Sequence, residues 1–320
     1  MHNYNVNLFI RHIKYGVLIA GMLLGLQMTS STAEAFLFGN PCQKTARDIS
    51  MSCNAGARDA YWLAIATCDN LPTSQERKDC TGQARQDRSS EITACKEQYN
   101  SRLDICKSLG GGAYNPVINP ADFVTKIDNP YLGLIPGTTF IYEGTTEEGN
   151  EHNEVAVTND TKKILGVTCV VVKDTVTVDG ELLEDTLDWY AQDKEGNVWY
   201  FGENAKQYAG GLIVGIEGSW EAGVNGAQPG IVMEANPKVG DIYRQEFAPG
   251  EAEDMAEVLS LTESTSVPFG SYTNCLKTKE FSGLEPDAIE NKFYAKGVGF
   301  IKSIEVDTNF GSELVGIIKK

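Results

Sequence analysis

Six cysteines between residues 40 and 107 could do one of two kinds of chemistry: hold a metal or redox centre as thiolates, or close disulfides. Their spacing decides between them. Cys42, Cys53, Cys68, Cys80, Cys95 and Cys106 are separated by 11, 15, 12, 15 and 11 positions, a palindrome rather than the short C-x-x-C pairs of a metal site. The pairs 42 with 106, 53 with 95, and 68 with 80 share a midpoint at Ser74, within the turn-forming stretch from Asp69 to Gln75. On a helix, steps of 11 and 15 residues are close to whole numbers of turns at about 3.6 residues each, so the cysteines stay near one face. The spacing therefore predicts two antiparallel helices joined by three nested disulfides. Cys169 and Cys275, the remaining two, fall in β-rich runs and are expected to pair with each other across a second domain.

Histidine supplies the sharpest exclusion. The chain has His2, His12 and His152, and the first two precede the expected cleavage point of a leader. One loop histidine cannot build a multi-histidine zinc site, and no C-x-x-C-H haem attachment is present. A serine or cysteine nucleophile would have to borrow His152, and neither a Gly-x-Ser-x-Gly elbow nor a Gly-rich phosphate loop occurs. No cofactor is implied.

Carboxylates and aromatics remain. Strand alternation puts Asp185 in phase with Leu183, Leu187 and Trp189, Asp174 with Val170, Val172 and Val176, and Glu257 with Met255, Leu259 and Leu261. Acids on apolar faces need partners. Arg244 is the one arginine after Arg102, so a buried ion pair with Asp185 or Glu257 is the expectation, ahead of a role as ligand anchor. Trp189, Tyr190, Trp199, Tyr200, Trp220 and Tyr243 are close enough in sequence to line one pocket for a small or extended ligand, cationic or hydrophobic, with Arg244, Asp185 and Glu257 beside it. The run Glu251, Glu253, Asp254, Glu257 and the hairpin Asp193, Glu195, Asn197 have no EF-hand spacing, and solvated turns are expected there rather than calcium sites.

The elements that must position these residues begin with a leader. Arg11 and Lys14 precede an apolar run from Tyr15 to Leu26, and Ala33-Glu34-Ala35 offers a small-x-small cleavage site, which reads as a signal peptide over residues 1–35. Export to a periplasm or beyond the cell follows, without a membrane span. Residues 36–109 are the cysteine-rich hairpin, with Thr73-Ser74 and Glu76 as the start of the second helix. Its bulky apolar residues are few, so disulfides must supply much of its stability. Residues 110–125, opening on Gly110-Gly111-Gly112, read as a linker, and 126–320 as an antiparallel β-domain. The charge divides the same way: from Gly110 onward there are 15 Lys plus Arg against 34 Asp plus Glu, which argues against nucleic acid as a partner.

Short β-rich runs succeed one another from Thr138 to Ile318, with turns at Val178-Asp179-Gly180-Glu181 and Asp193-Lys194-Glu195-Gly196-Asn197. Ten or more such strands imply a curled sheet, open or closed, of the lipocalin or lipoprotein-carrier kind. The fold class is α+β. The hairpin resembles disulfide-stapled hairpins of the twin CX9C type in geometry alone, having three cysteines per arm. Asn129-Pro130-Tyr131, Asp188-Trp189-Tyr190-Ala191-Gln192-Asp193 with Gly196-Asn197-Val198-Trp199-Tyr200, and Tyr294-Ala295-Lys296-Gly297-Val298-Gly299 resemble exported bacterial β-proteins of unassigned function. That resemblance covers most of residues 120–320 and implies no activity.

Three function classes follow. The first is an exported, non-enzymatic binding protein with a pocket in the β-domain and a hairpin that docks a protein partner. The others are a carboxylate-dependent hydrolase of an extracellular polymer and a structural protein of the cell envelope or surface.

Overall fold

The computed structural model describes residues 39–319. The signal peptide expected over residues 1–35 lies outside them. Two compact units are present: Ser50–Cys95 form one, and Pro41–Ile49 together with the chain from Lys96 onward form the other.

Helix α1 spans Pro41–Asp69 and α2 spans Ser74–Ser108. The turn between them closes on a capping box: the Glu76 N–H donates to Thr73 Oγ1 at 3.2 Å, and the Thr73 N–H donates to Glu76 Oε2 at 3.0 Å. Arg77 Nη1 donates to the Leu71 carbonyl at 2.6 Å, tying the turn to the new helix. The rungs are Cys42–Cys106, Cys53–Cys95 and Cys68–Cys80, with Cα atoms 5.6, 5.8 and 5.5 Å apart. Between the arms the buried side chains are small, Ala57 and Ala84 beside Cys68 and Cys95, while Met51, Trp62 and Leu63 are exposed. So little apolar burial cannot hold two helices in register, and cross-links that shrink the unfolded ensemble do that work. Gly110 and Gly111 follow α2 with φ of 76° and 78°, left-handed values that end a helix at no steric cost in glycine. No helix among the described residues is long and apolar enough to cross a membrane. Three disulfides fit an oxidising compartment and hence an exported protein.

The β-domain is one antiparallel sheet of seventeen strands. In chain order they are β1 (Phe123–Val124), β2 (Thr138–Thr146), β3 (Gly149–Ile164), β4 (Val167–Val178), β5 (Glu181–Asp193), β6 (Val198–Asn204), β7 (Gln207–Ala209), β8 (Leu212–Gly215) and β9 (Trp220–Glu221). Then come β10 (Gln228–Met233), β11 (Ile242–Arg244), β12 (Glu246–Phe247), β13 (Asp254–Val267), β14 (Gly270–Ser282), β15 (Glu290–Ala295), β16 (Gly299–Glu305) and β17 (Gly311–Lys319). The meander β13 to β17 continues onto β2, because β17 pairs with β2, and runs on through β6. β6 pairs with β10, β10 with β12, and β11 with β13, so the sheet curls back into a nearly closed barrel. Closure protects the edges that an open sheet of this width would expose. Tight turns carry the hairpins: Leu165-Gly166 and Asp179-Gly180 both have two successive positive φ values, the geometry that matches strand twist.

Two apolar clusters hold the domain. The larger gathers Ile127, Phe140, Tyr142, Val172, Met233, Leu276, Ile301 and Leu314 from all around the ring, which places it in the barrel interior. The smaller gathers Val167, Cys169, Val171, Trp189 and Ala191 with Phe201 and Trp220. On β4, odd positions therefore serve one cluster and even positions the other. This separation corrects the expected Cys169–Cys275 disulfide: both cysteines are free buried thiols, Cys169 in the smaller cluster and Cys275 in the larger. Burial pushes the Cys169 thiol up to about 12, so it sits as an inert core residue.

Candidate functional site: the barrel lumen

A cavity of about 360 Å³ lies within the larger cluster, lined from β2, β4, β5, β14 and β15 among others. Its position follows from strand register. Phe140 stands opposite Val155, Val155 opposite Asp174, and Asp174 opposite Thr186, so one inward row crosses four strands. The next row brings Val157, Val172 and Asp188 together. Asp174 and Asp188 are thus diagonal neighbours on one face. Tyr142, Tyr190, Tyr294 and Phe300 supply aromatic wall, and Lys292 is the cation among the lining residues, facing Glu280 and Glu290.

Electrostatics set this cavity apart. Burial, then the neighbouring Asp188 and Glu184, push the Asp174 carboxyl up to about 8, with Asn153 working against the shift. Its Oδ1 is shielded from solvent and has no hydrogen-bond partner among the described residues. Asp188 rises to about 7 through burial, offset in part by a hydrogen bond from Tyr200 and reinforced by Glu203 and Glu184. The Tyr200 hydroxyl reaches Asp188 Oδ1 at 2.6 Å and Glu203 Oε2 at 3.0 Å, and burial likewise lifts Glu203 to about 7. One hydroxyl proton cannot satisfy both carboxylates, so a proton shared within the trio is favoured. Glu280 is better provided for: Lys292 Nζ lies 2.7 Å from its Oε2, and the Tyr294 hydroxyl donates to its Oε1 at 3.0 Å. The cavity is therefore an apolar and aromatic chamber in which Lys292 compensates Glu280 and Glu290 while Asp174 and Asp188 are under-compensated.

The residues expected to line one pocket distribute among four places. Tyr190 faces the lumen, stacked on Tyr200 with ring centroids 4.8 Å apart. Trp220 packs edge-on against Tyr200, and its Nε1 donates to Glu246 at 2.8 Å. Trp189 points into the smaller cluster, capped by Lys162 Nζ 3.3 Å from the ring centre. Trp199, Tyr243 and Arg244 line a different cavity. Asp185 pairs with Lys173 at 3.1 Å, and Glu257 stands in the ladder opposite Lys279.

The expected Arg244 ion pair is therefore corrected. Asp185 occupies the opposite face of β5 from the inward Asp188, and Met255 rather than Glu257 stands opposite Arg244. The acid of that run which is buried is Glu253, at 1% exposure, where a solvated turn was expected; it pairs with Arg102 of α2. In the hairpin also expected as a solvated turn, Asp193 Oδ1 accepts the backbone N–H of Glu195, Gly196 and Asn197, and Oδ2 accepts from Trp199 Nε1. Among the described residues no cluster of His, Cys, Asp and Glu has the arrangement of a metal site. His152 is an exposed strand residue between Glu143 at 2.7 Å and Glu154 at 3.4 Å, away from both cavities.

Asp188 is the site residue that sequence reasoning missed. The odd positions of β5 carry Leu183, Leu187 and Trp189, which made that face look like the interior. Leu187 is exposed, and the even set Glu184, Thr186, Asp188 and Tyr190 faces the lumen instead. A signal did exist: those even positions stand in register with the apolar even positions of β4.

No protein-family model matches the chain, and no curated protein matches it. A solved structure described as a putative lipoprotein from Parabacteroides distasonis ATCC 8503 is 13% identical, covering 58% of this chain and 97% of that one, with a TM-score of 0.32. At that score the likeness carries no inference about function.

Proposed function

We propose that this is an exported binding protein, non-enzymatic, that takes a small ligand with a cationic or hydrogen-donating group and an apolar body into the barrel lumen. The observation that carries the reading is Asp174, whose shielded and unpartnered Oδ1 faces an aromatic cavity of about 360 Å³ beside a second strained acid, Asp188. A protonated amine would donate to both carboxylates and relieve the desolvation that now raises them, while Tyr142, Tyr190 and Phe300 cover its apolar part. Residence in a periplasm or outside the cell is consistent with the disulfides. The exposed Trp62 and Leu63 of α1 support a role for the hairpin in docking a protein partner.

Native mass spectrometry of protein purified from its own exported compartment tests the reading. The expected result is an added mass of a few hundred daltons at most, released on unfolding and bearing a basic nitrogen. A polymer fragment bound there and shortened on incubation would favour the hydrolase reading instead.

A further inference from the structure

A second cavity, of about 420 Å³, belongs wholly to the unit that contains the barrel and has the opposite chemistry. Ala46, Ile49, Ile231 and Phe247 give it apolar walls, and two arginines enter it. Arg102, 4% exposed, holds Glu253 in a fork, with Nε to Oε2 at 2.7 Å and Nη2 to Oε1 at 3.1 Å. Glu253 also accepts the Gly250 N–H at 2.8 Å, so its acceptor capacity is largely committed. Arg244, 7% exposed, lies over the Phe247 ring at 4.2 Å and the Tyr114 ring at 5.5 Å. The Tyr114 hydroxyl is turned away, donating to the Pro229 carbonyl at 2.9 Å.

Two guanidinium groups thus enter a cavity with one lining carboxylate, which Arg102 holds. Arg244 forms no ion pair with any described acid, its Nε has no hydrogen-bond partner, and neither has Nη1 of Arg102. Guanidinium stays charged at any physiological pH, and a buried charge without a counter-ion is costly. The two rings, edge to face at 80°, flank its body, and its Nε–H without an acceptor, beside the free Nη1 of Arg102, suits a two-oxygen acceptor.

We propose that this cavity binds a monocarboxylate with an apolar body, with Arg244 as its anchor and the free Arg102 N–H as a second donor. A carboxylate fits better than a phosphate dianion, because the site has one uncompensated positive charge and mostly apolar walls. The inference is independent of the lumen reading.

Titrating the full mature protein with 3-phenylpropionate and with its uncharged amide tests it, read by calorimetry and by thermal shift. The carboxylate should raise the melting temperature with concentration and bind about tenfold or more tightly than the amide. Arg244→Met keeps the packing on Phe247 and Tyr114 and should abolish that preference, while Asp188→Asn in the lumen leaves it intact. If Arg244→Met does not fold, Arg244→Lys keeps the charge without the fork and should weaken carboxylate binding severalfold. Equal effects of carboxylate and amide on the wild-type protein, including none from either up to about 10 mM, overturn the proposal. So does carboxylate binding that survives both substitutions at Arg244.

Discussion

The lumen and the arginine cavity are built by one unit from the same kinds of wall residue, yet they carry opposite unmet charge. In the lumen, carboxylates outnumber cations, and Asp174 and Asp188, with Glu203 behind Tyr200, adjust by holding protons to higher pH. In the arginine cavity that escape is closed, because guanidinium cannot shed its proton at any relevant pH; Arg244 leans on two aromatic faces instead. A buried acid can become neutral and wait for a ligand at little cost, whereas a buried arginine needs a partner, a π-face or water at all times. The two cavities should therefore respond differently to substitution and to pH.

The largest effect should come from Arg102→Met. It would strand Glu253, 1% exposed and held in a fork, and should cost about 3–5 kcal/mol in urea unfolding at neutral pH. A loss below about 1 kcal/mol would show that water already supports Glu253.

Lowering pH should sharpen the contrast from the lumen side. Three acids have folded values raised to about 7–8, above those of the unfolded chain near 4, so the folded state binds more protons through that window. Stability then falls as pH rises from about 4 to about 8, and the melting temperature should drop by roughly 5 °C or more. Carrying Asp174→Asn and Asp188→Asn together should flatten much of that slope. A profile that is equally steep in the double variant would remove these two acids from the account.

Arg244→Met should produce the smallest change. With no ion pair to break and an apolar body of similar length left on Phe247 and Tyr114, stability should stay within about 1 kcal/mol of wild type. A loss as large as that of Arg102→Met would mean that Arg244 is already paired, and the cavity would not need an anion.

How much of this could be read beforehand differs between the regions for physical reasons. The hairpin was legible because its information is local: palindromic cysteine spacing and a Thr73–Glu76 cap fix register without reference to anything distant. The α+β class and the meander from Thr138 to Ile318 were legible from alternation and turns, such as Asp179-Gly180. Site geometry was not. Both faces of β4 and β5 carry apolar residues because two clusters flank them, so parity alone could not rank Asp185 against Asp188. The pairing of Arg102 with Glu253 spans 151 positions and depends on where β13 begins, which no local pattern encodes. Cys169 and Cys275 looked like a pair only by elimination, and the sheet puts them in separate cores.

The central claim is that the lumen is a receptor for a basic group, and calorimetry with a hydrophobic primary amine tests it most directly. Phenethylamine should bind the wild-type protein about tenfold or more tightly at pH 9 than at pH 6, as Asp174 and Asp188 ionise, and the double asparagine variant should lose both the affinity and its pH dependence. Amine binding that is pH-independent, or unchanged in the double variant, would contradict the account.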